Sequence, residues 1–161
     1  MNTKEGITVF TPVYNRAYCI QRAYNSLLQQ TYKNFEWIIA DDGSTDNLQE
    51  QINKWVNEKK IDIKYLKVSN RGKMRIQNIA VRLADNPAFF TLDSDDSLKT
   101  NSLELVWKWF SQIQNDNKFA GVSGLRDCSS VQVNLNFEYI DITNCQRREY
   151  GLAVDTAECY K

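Results

Sequence analysis

Short apolar segments alternate with longer amphipathic segments over the first 125 residues of the chain. The short segments are rich in β-branched and aromatic residues and predict strands; they are Ile7–Phe10, Phe35–Ala40, Ile63–Val68, Ala88–Leu92 and Phe119–Gly124. Between them, apolar residues recur at the three- and four-residue spacing of helices, in Ala17–Gln30, Leu48–Val56, Ile76–Ala84 and Leu103–Phe110. Each predicted strand except the last is therefore followed by one predicted helix.

This alternation predicts an α/β fold with a mostly parallel sheet covered by helices on both faces. In such sheets, ligands bind at the carboxyl ends of the strands. After Gly124 the alternation weakens, and no breaker or polar tail marks an end at Lys161. We therefore expect a single domain over residues 1–161, with a first half at about 5–125 and an incomplete second half at 126–161.

The segment after the fourth predicted strand, LDSDDS, contains three acids within four residues: Asp93, Asp95 and Asp96. Magnesium and manganese sites commonly combine one or two carboxylates with water and substrate phosphates. Alternate residues of an extended chain share a side, so Asp93 and Asp95 can point into one space. The alternative is that Ser94, Asp95 or Ser97 caps the next helix, although a cap needs only one such residue.

Two other loops carry candidate ligand-binding residues. Residues 40–46, ADDGSTD, suit a tight turn and a helix cap, but a carboxylate there could also accept a hydrogen bond from the N–H of a base such as uracil. Residues 69–78 place Arg71, Lys73 and Arg75 near a predicted helix N-terminus, where cations and backbone N–H groups suit a diphosphate. A solvated basic face is the alternative for this second loop.

Composition removes several kinds of site and partner. The chain has no histidine, which excludes Ser/His and Cys/His nucleophile pairs, and its four cysteines lack the spacing of a zinc site. Twenty basic and twenty acidic residues give no electrostatic case for nucleic acid. No apolar run approaches the roughly 20 residues that span a bilayer. No glycine fingerprint of a nicotinamide site or a P-loop follows the first predicted strand.

Taken in order, the segments ITVFTPVYNR, SLLQQTYKNFEWIIADDGSTD, NRGKMRIQN and FFTLDSDD resemble family 2 glycosyltransferases of the GT-A fold, whose sheet is Rossmann-like. The resemblance covers about residues 7–110. It implies a nucleotide-diphosphate-sugar donor, in particular a UDP-sugar, a divalent cation (Mn²⁺ or Mg²⁺) and inversion at the anomeric carbon. It also implies that residues 5–125 bind the nucleotide-sugar and that residues 126–161 begin the acceptor-side half.

On the nucleoside side, the resemblance implies that the loop at Thr11, Pro12 and Tyr14 lines the nucleoside. Asp42, the second acid of DDGS, would bind the base. The acceptor is expected to be a carbohydrate or a lipid-linked molecule. The protein is expected to be cytoplasmic, or peripheral at the inner face of the membrane through further segments.

On the phosphate side, the resemblance implies that Arg71 or Lys73 lies near the base and phosphates. Asp93 and Asp95 would contact the ribose and the metal, with Asp96 as a competing contact to the metal or the sugar. A cation and a diphosphate would then relieve the repulsion among these neighbouring acids.

The catalytic base receives no assignment. Inverting transfer needs a base that takes the acceptor hydroxyl proton opposite the diphosphate, and in the family this carboxylate lies beyond the matching region. Glu149, Asp155 and Glu158 are acids near the end of the chain, but no motif links them to that role. We expect the base beyond Lys161, so that the chain binds donor while being catalytically incomplete.

Two alternatives stay open at this point. A sugar nucleotidyltransferase would also use aspartates and a metal on a similar sheet, but it usually carries a glycine-rich loop after the first strand, and TPVYNRAYC has no glycine. A non-catalytic module that binds a nucleotide-sugar is the other alternative, because no catalytic base is visible.

Overall fold

The computed structural model of the chain describes residues 5–69, 72–125 and 156–161. Within these ranges the strands are β1 (Ile7–Val13), β2 (Phe35–Asp41), β3 (Asp62–Lys67), β4 (Ala88–Thr91), β5 (Gly121–Leu125) and β6 (Thr156–Tyr160). The helices are α1 (Gln21–Leu28), α2 (Leu48–Glu58), α3 (Lys73–Leu83) and α4 (Ser102–Ile113). Every strand and helix predicted before Gly124 is therefore present.

The six described strands form one sheet in the order β3-β2-β1-β4-β6-β5. The first four strands are parallel, and β6 runs antiparallel to both β4 and β5. The prediction of a mostly parallel α/β sheet is confirmed. The predicted fifth strand forms as β5, but β6 lies between it and β4, which the alternation pattern did not predict.

Helices cover both faces of the sheet. Neighbouring residues of a strand point to opposite faces, so each strand contributes to two cores. Val9 faces a core shared with α1, α2 and α4, whereas Phe10 faces a smaller core shared with α3. The four parallel strands therefore need apolar residues on both sides, which explains their nearly continuous hydrophobic runs. No helix in the described part of the chain has the length and apolar character required to cross a membrane.

An aromatic stack fixes α1 and α2 against the sheet. The Tyr24 ring lies 4.3 Å from the Trp55 ring and 6.2 Å from the Trp37 ring, measured between centroids. All three side chains are almost completely buried. Helix α1 begins at Gln21 rather than at Ala17 as predicted, because residues 17–20 form a turn.

Glu36 organises the amino-terminal edge of the sheet. Its buried carboxylate accepts hydrogen bonds from the Thr8 hydroxyl at 2.6 Å, the Asp85 backbone N–H at 2.6 Å and the Asn86 amide at 3.3 Å. The other carboxylate oxygen forms an ion pair with the Lys64 ammonium group. These five residues, the Glu36 cluster, join β1, β2, β3 and the loop before β4.

Candidate functional site

The loops of the candidate site leave the sheet side by side at its carboxyl edge. The Asp42 N–H donates to the Val13 carbonyl and the Leu92 N–H donates to the Phe10 carbonyl, both at 2.9 Å, so strand pairing continues to the start of each loop. The chain proceeds outward from β1 to β3 and then returns to place β4 on the other side of β1. Ligands bind at such a reversal of strand order, which lies here between β1 and β4.

The two consecutive aspartates after β2 have different surroundings, and the first holds the turn. Asp41 is fully buried and accepts hydrogen bonds from the Ser44 N–H at 2.7 Å and the Tyr65 hydroxyl at 2.6 Å. The Lys67 ammonium group lies 3.8 Å from the same carboxylate. Burial, and then the hydrogen bond to Asp41, raises the pKa of Tyr65 above its ordinary value. Asp41 is therefore fully engaged in stabilising the fold.

Asp42, predicted to bind the base, connects β2 to the start of α3. It is 7% exposed, and its Oδ2 accepts a hydrogen bond of 2.9 Å from the Gly72 N–H. Gly72 has a φ of 86°, a conformation that residues with a Cβ atom adopt only with strain. Asp42 thus lies at the carboxyl edge of the sheet, next to the start of α3. Arg71, which precedes Gly72, is outside the described residues.

Of the three residues predicted in the loop after the first strand, only Tyr14 lies in it, because pairing with β2 extends β1 through Thr11 and Pro12 to Val13. Thr11 is fully buried, and its hydroxyl accepts a hydrogen bond of 2.9 Å from the Trp37 indole N–H. Pro12 is half-buried and Tyr14 is 47% exposed. The Thr11 side chain therefore supports the loop from the core, and the side chains that can reach a ligand are those of Pro12 and Tyr14.

The loops after β1 and β2 are locked together by Asn15. Its N–H donates to the Ser44 hydroxyl at 2.9 Å, and its side-chain oxygen accepts from the Thr45 N–H at 2.8 Å. Asn15 adopts a φ of 51°, a left-handed conformation that asparagine tolerates better than most residues. Next to it, the Ala17 N–H donates to the Asp46 carboxylate at 2.9 Å. The first loop is therefore held in place before any ligand binds.

The acidic segment after β4 forms a turn, in which the Asp96 N–H donates to the Asp93 carbonyl at 3.1 Å. The Asp93 side chain is 31% exposed, and the Lys73 ammonium group lies 2.8 Å from its carboxylate. The Asp95 side chain is 51% exposed, and the Arg16 guanidinium lies 3.4 Å from its carboxylate. The structure thus brings the predicted residues Lys73 and Asp93 together, and it adds Arg16.

The capping alternative for this acidic segment is wrong. Helix α4 begins at Ser102, and its N-cap position is Asn101, with no side-chain hydrogen bond to the helix. All three residues proposed as caps, Ser94, Asp95 and Ser97, lie four or more positions before Asn101. The acids after β4 are therefore not explained by the start of α4.

Two arginines that the sequence analysis did not select also reach this segment. Arg16 donates to the Tyr18 hydroxyl at 2.9 Å as well as to Asp95, and both contacts raise its pKa, with that of Tyr18 contributing more. Arg22, in α1, donates to the backbone carbonyl of Asp95. The contacts of these two arginines with Asp95 join residues more than 70 positions apart, so no local motif could have indicated them.

The side chains supply only part of the coordination of a divalent cation, and oxygens of water or substrate would supply the rest. Within residues 5–69, 72–125 and 156–161, no three acidic or cysteine side chains converge on one point. Asp93 and Asp95 nevertheless offer partly exposed carboxylate oxygens on the same turn. Magnesium-type sites often use one or two carboxylates and take the remaining oxygens from phosphates and water. The donor set therefore fits a cation that binds together with a diphosphate.

A separate cavity of about 950 Å³ lies between α1 and α2, and its lining does not include the acids after β4. Its polar side chains are largely paired with one another: Gln21 donates to Asn25 at 2.9 Å, and Gln51 donates to Gln21 at 3.2 Å. The carboxyl edge of the sheet, where unlike charges from separate loops meet, is the better candidate for the functional site.

Comparison with known proteins decides the family. The family model described as "Glycosyl transferase family 2" matches residues 8–150. The chain belongs to glycosyltransferase family 2. It is 37% identical over 106 residues to an uncharacterized glycosyltransferase of Rickettsia conorii and 39% identical over 105 residues to a chondroitin synthase of Pasteurella multocida.

These relatives are much longer than the matching region. The match covers 66% of this chain and 17% of the Rickettsia protein, and 65% of this chain and 11% of the chondroitin synthase. The family resemblance inferred from the four sequence segments is confirmed.

Solved structures support the same fold. TarS residues 1–349 from S. aureus superpose with a TM-score of 0.75 at 22% identity, covering 97% of this chain and 47% of that TarS chain. TarS residues 1–349 in complex with UDP-GlcNAc give a TM-score of 0.65 at 22% identity, covering 80% of this chain and 37% of that TarS chain. The mannosyltransferase PcManGT from Pyrobaculum calidifontis, in complex with GDP-Man and Mn²⁺, gives a TM-score of 0.68 at 23% identity. This match covers 78% of this chain and 36% of the PcManGT chain. The predicted GT-A fold is therefore confirmed.

Proposed function

We propose that this chain is the donor-binding part of an inverting glycosyltransferase that moves a sugar from a UDP-sugar to a hydroxyl group of a carbohydrate or lipid-linked acceptor. The observation that carries the proposal is the meeting of Lys73 with Asp93 and of Arg16 with Asp95 at the reversal of strand order. Family membership supports a nucleotide-sugar as the donor. The TarS complex with UDP-GlcNAc supports uridine as its nucleoside.

The nucleoside is proposed to bind between the first loop and Asp42. The Asp42 carboxylate can accept a hydrogen bond from the imide N–H of uracil in addition to the one from Gly72. Pro12 and the exposed Tyr14 ring offer an apolar surface for the nucleoside, and buried Thr11 supports that surface from below. The polar edge of the base would then face α3.

The diphosphate is proposed to bind between the acidic turn and the start of α3. Asp93 and Asp95 would hold Mn²⁺ or Mg²⁺, which supplies positive charge to the leaving diphosphate when bound. Lys73 is the first residue of α3, and an ammonium group at a helix N-terminus favours phosphate. Arg71 would add a second cation, Asp93 would also contact the ribose, and Asp96 would contact the sugar or the metal.

The base that activates the acceptor is not among the residues that we assign. Glu149 and Asp155 lie outside the described residues, as does the side chain of Glu158. The expectation that the base lies beyond Lys161, the division of the domain near residue 125 and the cellular location all stay predictions. Donor binding is therefore the step that this chain can be tested for directly.

Calorimetric titration of the purified chain with UDP, GDP and dTDP, with and without Mn²⁺, tests the proposal. We expect UDP to bind more tightly than the other two nucleotides, and only when Mn²⁺ is present. Asp95→Asn is expected to remove the effect of Mn²⁺. Asp62→Asn, which changes an exposed acid at the opposite edge of the sheet, is the matched control and should bind UDP like the wild type. Equal affinity for the three nucleotides, or a UDP affinity that is the same with and without Mn²⁺, would contradict the proposal.

A further inference from the structure

Arg16 connects the segment between β1 and α1 to the acidic turn after β4. Its Nη1 lies 3.4 Å from Oδ2 of Asp95 and donates to the Tyr18 hydroxyl at 2.9 Å. The guanidinium carbon also lies 5.9 Å from the centroid of the Tyr18 ring, which is the geometry of a cation–π contact. Tyr18 thus holds the guanidinium group at the mouth of the candidate site.

Arg16 and Arg22 contact the same residue in different ways. Arg22 donates to the backbone carbonyl of Asp95, so it positions the turn without occupying the carboxylate. Arg16 pairs with the carboxylate itself, which is the group proposed to hold a divalent cation. Of these two arginine contacts, that of Arg16 is therefore the one in direct competition with a metal ion.

The ion pair between Arg16 and Asp95 is weak enough to be exchanged. The two side chains are 43% and 51% exposed, and exposed ion pairs contribute little to stability. A divalent cation on Asp95 would also repel the guanidinium group, and a diphosphate beside that cation would attract it. The planar guanidinium fork matches phosphate oxygens particularly well.

We propose that Arg16 exchanges partners when the donor binds: it neutralises Asp95 in the donor-free chain and contacts the diphosphate once a divalent cation has taken Asp95. This inference rests on the proposed function of the site. It makes Arg16 a donor-binding residue whose two contacts have opposite effects, one opposing the binding of metal alone and the other favouring the binding of nucleotide with metal.

Two titrations of the whole chain test the exchange. Binding of Mn²⁺ alone is followed by electron paramagnetic resonance, and binding of UDP at saturating Mn²⁺ is followed by calorimetry. Arg16→Gln is expected to tighten Mn²⁺ binding about two- to five-fold, by removing the competing ion pair. The same variant is expected to weaken UDP binding about ten-fold, by removing a charged hydrogen bond to phosphate. A purely structural role for Arg16 would not move the two affinities in opposite directions.

Matched variants separate competition from general charge effects. Arg22→Gln removes an equal charge and a backbone contact at the same turn but leaves the Arg16 ion pair in place, so the gain in Mn²⁺ affinity of Arg16→Gln should exceed its effect. Arg16→Lys keeps the competing charge and should return Mn²⁺ affinity towards the wild-type value. In an Asp95→Asn background, Arg16→Gln should produce no gain in Mn²⁺ affinity.

The exchange is overturned if Arg16→Gln binds Mn²⁺ no more tightly than Arg22→Gln does, or if its UDP affinity equals that of the wild type. If Arg16→Gln does not fold, Arg16→Ala provides the same comparison, because it also removes the competing charge. A different result is expected if the proposed metal site itself is wrong. Asp95→Asn would then bind Mn²⁺ with the same affinity as the wild type.

Discussion

At the amino-terminal edge of the sheet the Glu36 side chain is 4% exposed and receives contacts from four other residues, whereas at the carboxyl edge the Asp95 side chain is 51% exposed and is paired with Arg16 at 3.4 Å. Glu36 lies at the start of a parallel strand and Asp95 lies in the turn after one. Each carboxylate contacts a cationic side chain. Their settings differ in burial and in the number of groups that hold them.

This difference indicates which carboxylate holds the fold and which is available to a ligand. Removing one partner from a buried, paired carboxylate leaves other groups without compensation, which is costly. An exposed ion pair contributes little and can exchange its partner at small cost. The Glu36 cluster therefore fixes the strands, while the acidic turn after β4 can accept a cation without disturbing them.

The largest effect is expected from Glu36→Ala. This change removes the acceptor for the Thr8 hydroxyl and the Asp85 N–H, so buried donors lose their partner. We expect the free energy of unfolding to fall by about 2–4 kcal/mol, measured by urea denaturation. Asp62→Asn, at the same edge but exposed, should change it by less than about 0.5 kcal/mol. Similar small effects in both variants would remove the distinction between the two edges.

A smaller, pH-dependent effect is expected from Lys64→Gln. Burial opposes the charge of Lys64, but its contacts with Asp85 and Glu36 outweigh this and raise its pKa above the ordinary value of 10.5. A raised pKa stabilises the fold below pH 10.5, and this stabilisation is lost as pH rises through the higher folded-state value. Because the side chain is one-third exposed, we expect about 1 kcal/mol between wild type and variant at pH 8.

Denaturation of wild type and Lys64→Gln at a series of pH values checks this effect. The gap between their unfolding free energies should shrink as pH rises above 10.5, because the ammonium group loses its charge first in the unfolded chain and then, at the higher folded-state pKa, in the folded protein. A gap that stays constant from pH 8 to pH 12 would mean that the charge of Lys64 does not contribute to stability.

The smallest effect on stability is expected from Asp95→Asn. Its carboxylate is half exposed and makes one long ion pair, so the free energy of unfolding should change by less than about 0.5 kcal/mol. The same variant should lose Mn²⁺-dependent binding of UDP. Thermal unfolding and calorimetry on one protein sample measure both quantities. An Asp95→Asn protein that unfolds readily would assign this carboxylate a structural role like that of Glu36.

Most of the fold could be predicted from the sequence because periodicity is a local signal. The alternation of strands and helices predicted β1 to β4 and α1 to α4, and the apolar runs reflect burial of both sheet faces. Strand β6 was not predicted as a sheet member, because its place between β4 and β5 depends on pairing between distant segments. The start of α1 was misplaced because the apolar spacing continues through a turn at residues 17–20.

The candidate site could be predicted only in part, because its contacts join distant loops. The family resemblance selected Asp42 rather than Asp41, but residue pattern alone could not, since the distinction depends on Tyr65 in β3, which donates to Asp41, and on Gly72, which donates to Asp42. The Thr11 orientation likewise follows from its pairing with Trp37. Arg16 was missed because its partner lies 79 positions away and no spacing rule connects them.

The most direct test of donor binding at the acidic turn is a crystal structure of the chain with UDP and Mn²⁺, recorded with anomalous data for manganese. We predict one manganese peak coordinated by the Asp95 carboxylate and the UDP phosphates, with uracil beside Asp42 and the Arg16 guanidinium turned from Asp95 towards the diphosphate. A manganese peak at another place, or UDP bound away from the loops after β1, β2 and β4, would contradict the account.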